Sequence, residues 1–228
     1  MNLDFSNDQK FLQEEARKFL EKEEALSRNR SVLETESHID QELWNKIVDL
    51  GWTGIRIPEE YGGLGLGHLE LCVIAEELGR YLAPVPFSSS VYLFTEAIIN
   101  YANEEIKKDL LPKLVSGEAI GTLAVTEELH APSKNNIKVS SNNGDLSGKK
   151  IAVPDAGIAT HSLVVSKTDN GISLQLVDLS ESGIKIEHQE NIDESRGHFS
   201  IEFNNVKSDL IGDENSGWEL YESIINQA

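Results

Sequence analysis

The chain has 228 residues, 39% of them hydrophobic, enough for one large core or two ordinary ones. Its 39 acidic residues against 20 basic ones leave a formal charge of -19, which argues against a nucleic-acid or anionic-membrane surface, because neutralising phosphates needs clustered Lys and Arg. Cys72 is the single cysteine, no apolar run reaches membrane-spanning length, and the first five residues carry neither a basic leader nor an apolar h-region, so the expected compartment is the cytoplasm.

The first half reads as helices. Ser6 with Gln9 fits a capping box, and Leu12, Ala16, Phe19 and Leu20 follow at helical spacing. Glu14, Glu15, Glu21, Glu23 and Glu24 fill the solvated face. A second helix is expected over 41–50, with Leu43, Ile47 and Leu50 on one side. Next comes a glycine-rich stretch over 57–67, where Gly62, Gly63, Gly65 and Gly67 fall within six residues. The backbone can take positive φ at several places there, so it reads as an ordered, crowded loop between two helices. It is no dinucleotide fingerprint, because no strand precedes it. A third helix over 69–82 is ended by Pro84 and Pro86. A fourth follows Ser88 and carries Phe94, Ala97, Ile98 and Tyr101. A fifth runs over 104–115, with Pro112 as a candidate kink.

The pattern changes near Gly117. Short β-like runs follow at 120–125, 137–140, 146–153, 162–166, 172–177, 184–187 and 199–203. Asn142-Asn143-Gly144-Asp145 is a hairpin turn, and Asp169-Asn170-Gly171 is another. Runs at this spacing suggest an antiparallel sandwich or barrel. Gly212 and Gly217 then introduce a helix from Trp218 onward, with no later partner in the chain. The expectation is an α+β chain: a helical domain over 1–117, a mostly antiparallel β domain over 118–213, and the start of a further helical domain over 214–228.

Several stretches share order and spacing with one family. Pro58-Glu59-Glu60-Tyr61-Gly62-Gly63-Leu64-Gly65 resembles the signature loop of the acyl-CoA dehydrogenases. Trp44 through Gly54 resembles the approach to that loop, and Glu76-Glu77-Leu78-Gly79 the helix after it. Leu110 through Glu118 resembles the close of the helical domain. Leu123-Ala124-Val125-Thr126-Glu127 resembles the first flavin-contacting strand, and Leu146-Ser147-Gly148-Lys149-Lys150 the start of the second. Asn205-Val206 and Leu210-Ile211-Gly212 resemble the exit from the β domain.

The resemblance implies FAD as cofactor, an acyl-CoA thioester as substrate and an electron-transfer flavoprotein as acceptor, in a homo- or hetero-oligomer. It implies chemistry in which an α-proton leaves the thioester while a hydride leaves the β-carbon for the flavin. The cofactor-binding positions it implies are Leu123, Val125 and Thr126 on the first strand and Ala152, Val153 and Pro154 on the second. Ser133 is the implied substrate contact. The family's base is a glutamate of the C-terminal helical bundle, so no catalytic residue carries over and the chain is expected to be a truncated, inactive piece. Two departures stand out. Ala152, Val153 and Pro154 replace the family's Trp-Ile-Thr, and Pro154 has neither hydroxyl nor N–H to donate. In the family's "T-E-P-x-x-G-S-D", Ala131 replaces glycine and Pro132 replaces serine, with Ser133 one place along. Val153-Pro154-Asp155-Ala156 resembles a bacterial branch that acts on steroid side chains and pairs two unlike chains, one with a degraded site. The alternative reading is therefore a non-catalytic partner subunit.

Other residues read as structural. His68 packs or caps the helix after the glycine loop, and Arg56 forms a surface ion pair rather than meeting a phosphate of CoA. His130, His161, His188 and His198 show no metal-like spacing among themselves or with Cys72. Asp193-Glu194-Ser195-Arg196 reads as a turn before a strand, with ligand contact by Ser195 or Arg196 as the sharper alternative.

Overall fold

A computed structural model describes residues 4–35 and 38–227. In them helices precede strands and a last helix follows, as read from the sequence, with seven α-helices and eight strands among the described residues. Helix α1 (Asn7–Lys22) opens on the expected capping box, in which the Ser6 hydroxyl accepts the Gln9 N–H and the Gln9 side chain accepts the Ser6 N–H. Glu24 then takes a left-handed φ of 53° and turns the chain into α2 (Ala25–Leu33). Sequence reasoning missed α2, because its polar sequence shows little periodicity; Arg28 ties it down by pairing with Glu23, Asp40 and Glu42. Helices α3 (Gln41–Asp49) and α4 (His68–Arg80) complete a core built on Leu20, Leu43, Trp44, Ile47, Leu71 and Ile74.

The glycine loop folds back on its own approach. Gly62 and Gly65 use positive φ (87° and 59°), and a Cβ on Gly63 would lie 2.0 Å from the Ile57 carbonyl oxygen. The Leu64 and Leu66 N–H groups donate to the carbonyls of Gly54 and Ile55, both at 2.9 Å. The loop is thus a clamp within the helical domain.

The fourth expected helix is a π-helical segment, Ser88–Thr95, that runs into α5 (Glu96–Tyr101). The Thr95 hydroxyl donates to the carbonyl of Ser90, five residues back, at 2.8 Å. The Ser90 hydroxyl accepts the Gly121 N–H at 3.1 Å, which seats the helix on the first strand. A Cβ on Gly121 would lie 2.0 Å from the Phe94 ring, so only glycine permits this approach. Helix α6 (Glu104–Val115) runs on past Pro112, which sits near its last turn, and ends at the expected place.

The strands are β1 (Gly121–Ala124), β2 (Ser140–Asn142), β3 (Asp145–Pro154), β4 (His161–Thr168), β5 (Gly171–Asp178), β6 (Ile184–Gln189), β7 (His198–Lys207) and β8 (Asp209–Ile211). They form one sheet in the order β6-β7-β3-β2-β4-β5-β8, with β1 beside β4. The pairing is mostly antiparallel, but β1 runs parallel to β4, and β2 meets β4 in parallel at one position. The run expected at 137–140 forms its strand slightly later, at β2, and β8 pairs with β5 without having been read from the sequence. The expected hairpin turn is present, with positive φ at Asn143 (52°) and Gly144 (83°). Helix α7 (Gly217–Gln227) finds its partner earlier in the chain. Ile224 is buried in the shared core, the Tyr101 hydroxyl donates to that of Ser223 at 2.8 Å, and Gly217 lies against the backbone of Ser173. That core joins Phe94, Ile98, Leu110 and Leu114 to Leu123, Leu163 and Leu174, so the helices and the sheet are one packed body. Among the described residues, no helix is long and apolar enough to cross a membrane.

Candidate functional site

The segment leaving β1 is pinned on both sides of Thr126. Lys150 is fully buried, and its ammonium donates to the Val125 carbonyl at 3.0 Å and to Glu127 Oε1 at 2.7 Å. Glu127 also accepts the backbone N–H groups of Lys138 (2.7 Å) and Val139 (3.1 Å). The Thr126 carbonyl accepts the Ile151 N–H at 2.8 Å. Burial pushes the Lys150 ammonium down to about 8, against the pull of Glu127. The outcome is a rigid segment in which the Thr126 hydroxyl has no partner among the described residues.

Beyond Ile151, β3 bulges. The register against β7 slips between Lys150 and Val153, and Ala152 takes a φ of 52°. Ala152 is exposed, and its N–H donates to Gln189 Oε1 at 2.7 Å. The Pro154 carbonyl accepts the Thr122 hydroxyl at 2.6 Å. Leu123 and Val125 lie in the core shared with the helices, and Val153 lies in the core between β3 and β7. Ser133 sits apart on an exposed loop, where its N–H donates to Asn136 Oδ1 at 2.8 Å. Of the sequence-derived positions, Thr126 lies against Ile151, the neighbour of Ala152, and Pro154 lies two residues further along β3 against Thr122. The fold does not bring Ser133 into hydrogen-bond contact with them.

A cleft of about 610 Å³ lies between the end of α2 and the β6–β7 connection, with Gln189 in its wall. The His38 and His188 rings stack across it with centroids 4.2 Å apart, and both meet Phe199 edge-on. Burial holds the His38 imidazolium below its ordinary range, helped by repulsion from His188. Arg196 lines the cleft, and its guanidinium donates to buried Asp155, which also accepts from the Ser89 hydroxyl, and to Ser88. The turn expected at 193–196 is present, with Asp193 accepting the Ser195 N–H at 3.0 Å. Arg196 does more than the turn reading held: it links the helices to the end of β3.

Arg56 also differs from expectation. Its partner is the buried carboxylate of Glu96 (2.6 Å), and it donates to the Leu66 carbonyl at 2.6 Å, so it closes the glycine loop instead of forming a surface pair. His68 Nε2 lies 3.5 Å from the same carboxylate, in keeping with a packing role. Sequence reasoning missed the roles of Gln189, Arg196, Asp155 and the Lys150–Glu127 pair. The family-like stretch Leu146-Ser147-Gly148-Lys149-Lys150 contains Lys150 and was the one available signal. The others join residues far apart in the chain.

Residues 6–118 match the family model for the acyl-CoA dehydrogenase N-terminal domain. The chain belongs to the acyl-CoA dehydrogenase family. It is 29% identical over 230 residues to the mitochondrial isovaleryl-CoA dehydrogenase of Pongo abelii, covering 93% of this chain and 54% of that protein. A solved structure, the Tcur3481-Tcur3483 steroid ACAD G363A variant, is 30% identical with a TM-score of 0.82, covering 96% of this chain and 62% of that one. An acyl-CoA dehydrogenase of Bacillus anthracis complexed with FAD shares the fold at 24% identity and a TM-score of 0.86, covering 98% of this chain and 41% of that one. The chain spans about half the length of the curated relatives it matches.

Set against this family's flavin, the two stretches differ. At Thr126 a free hydroxyl on a pinned backbone fits a polar ring edge. At the second stretch the fit fails, because the Ala152 N–H is already spent on Gln189 and Pro154 has no donor.

Proposed function

We propose that this chain supplies the helical and β parts of an FAD-dependent acyl-CoA dehydrogenase that desaturates the α,β bond of an acyl-CoA thioester. Bound flavin would supply the hydride acceptor, and an electron-transfer flavoprotein would carry the electrons away. The observation that carries this reading is the Thr126 segment, held by Lys150 and Glu127 with its hydroxyl left over for a ligand. The residues of this chain orient and donate. Removal of the α-proton falls to the C-terminal bundle, as the family resemblance implies.

A second reading, a non-catalytic subunit that stabilises an active family member, is favoured by the spent Ala152 N–H and by Pro154. One experiment separates the two. The chain is purified alone and after co-expression with a full-length acyl-CoA dehydrogenase family member, flavin absorbance is recorded, and both samples are assayed on a panel of acyl-CoA thioesters with an artificial acceptor. The dehydrogenase reading expects flavin on this chain and no turnover from the 228-residue protein alone. Flavin in the mixture only, bound to the other chain, would favour the partner reading. Turnover by the 228-residue chain alone would contradict the assignment of the base to the C-terminal bundle.

A further inference from the structure

A second cavity, of about 190 Å³, lies between α2, the end of α4 and the start of the π-helical segment. Leu78, Leu82, Ala83, Val85 and Phe87 give it an apolar wall. Arg196 is the one charged side chain in its lining, and buried Asp155 meets that charge, so the space suits a neutral molecule. An apolar cavity of about 150 Å³ holds a benzene ring, so this one has room for a six-membered ring with one substituent. Thr126, Ala152 and Pro154 do not line it, and the inference goes beyond the dehydrogenase reading without resting on it.

One polar atom of the wall is left over. Asn29 is 7% exposed, and its amide donates to the Leu82 carbonyl at 2.5 Å. A carbonyl only accepts, so the amino group faces Leu82 and the oxygen is the other arm of the carboxamide. Leu82 presents that carbonyl from a left-handed φ of 47°, a conformation rare for a bulky side chain. The Asn29 oxygen receives no hydrogen bond among the described residues. Unlike the indole nitrogen of Trp44, it is not sealed inside the protein. An acceptor on a side chain this buried is satisfied by a ligand with a proton to give.

We propose that this cavity binds a compact, neutral, apolar alcohol, a six-membered ring or a branched chain of that size, whose hydroxyl donates to the Asn29 side-chain oxygen. A ketone of the same shape has no proton to give there, so it is the weaker ligand.

The probes are cyclohexanol and cyclohexanone, titrated into the 228-residue chain by calorimetry and by ligand-observed NMR. The wild type is expected to bind the alcohol about tenfold more tightly than the ketone, the size of one net hydrogen bond. Asn29→Leu keeps the shape and removes the acceptor, so it is expected to bind the two equally. Gly79 lines the cavity from α4, and a Cβ there meets nothing within 4 Å. Gly79→Leu therefore extends a side chain into open space on a helix that tolerates it, and is expected to bind neither probe. No cyclohexanol binding by the wild type overturns the proposal, as does equal affinity for alcohol and ketone. A preference that persists in Asn29→Leu, or binding that survives in Gly79→Leu, overturns it too. If circular dichroism shows that Asn29→Leu does not fold, the wild-type preference and Gly79→Leu decide the matter.

Discussion

Replacing Lys150 by Met removes the cation of a pair in which Lys150 is fully buried and the Glu127 side chain is 7% exposed. The methionine fills most of the lysine's volume, so the cost is electrostatic rather than a cavity. Breaking a buried pair from one side costs about 3–5 kcal/mol. Glu127 keeps two backbone N–H donors, from Lys138 and Val139, which points to the lower end, about 3 kcal/mol. Adding Glu127→Gln should recover part of the loss, because it removes the uncompensated charge but turns its amide amino group toward one of the two backbone N–H donors. Urea unfolding of the wild type, both single variants and the double variant measures the cycle. The pH dependence gives a second reading. Lys150 falls from an ordinary 10.5 to about 8 on folding, so the unfolded chain binds more protons between those values and stability rises with pH across that window. That drop corresponds to about 3 kcal/mol. The rise should vanish in the double variant. A Lys150→Met protein within about 0.5 kcal/mol of wild type, a magnitude ordinary for surface changes, would refute the claim that this pair holds the Thr126 segment.

Two further outcomes follow from the same geometry. Ala152→Gly relieves a left-handed residue that costs about 1–2 kcal/mol, less the glycine's entropic penalty of about 0.5–1 kcal/mol. Urea midpoints should therefore move slightly upward, and a fall would mean that the methyl group packs usefully. His38 is held below its ordinary value by burial and by His188, so it favours folding while neutral, and that contribution is lost as pH falls through the unfolded-state value near 6.5. Replacing His188 by Phe should shrink the stability lost between pH 7 and 5, as read by thermal melts at each pH. An unchanged profile would place the acid sensitivity elsewhere.

Much of the fold is legible in the sequence because its signals are local. The capping box at Ser6, the start and stop of α6 and the Asn143-Gly144 turn each follow from a few adjacent residues. What escapes the sequence is long-range. The π-helical turn carries Phe94 onto Gly121, and no periodicity in 88–95 announces that contact. Arg196 meets Asp155 across 41 residues, and Gln189 meets Ala152 across 37. The substitution at Pro154 marks the weakened end of the site, but only the bulge shows that the neighbouring N–H is also spent. A missing hydroxyl can be read from one residue. An occupied donor cannot.

The core shared by helices and sheet has a consequence for how this protein can be cut. Ile57, Phe94 and Leu111 pack in the same cluster as Leu163, Leu174 and Ile224. Residue 117 marks where helices give way to strands, yet severing the chain there would leave each half with an open wound of buried side chains. The expected behaviour is one cooperative melting event. Either half expressed alone should aggregate rather than fold.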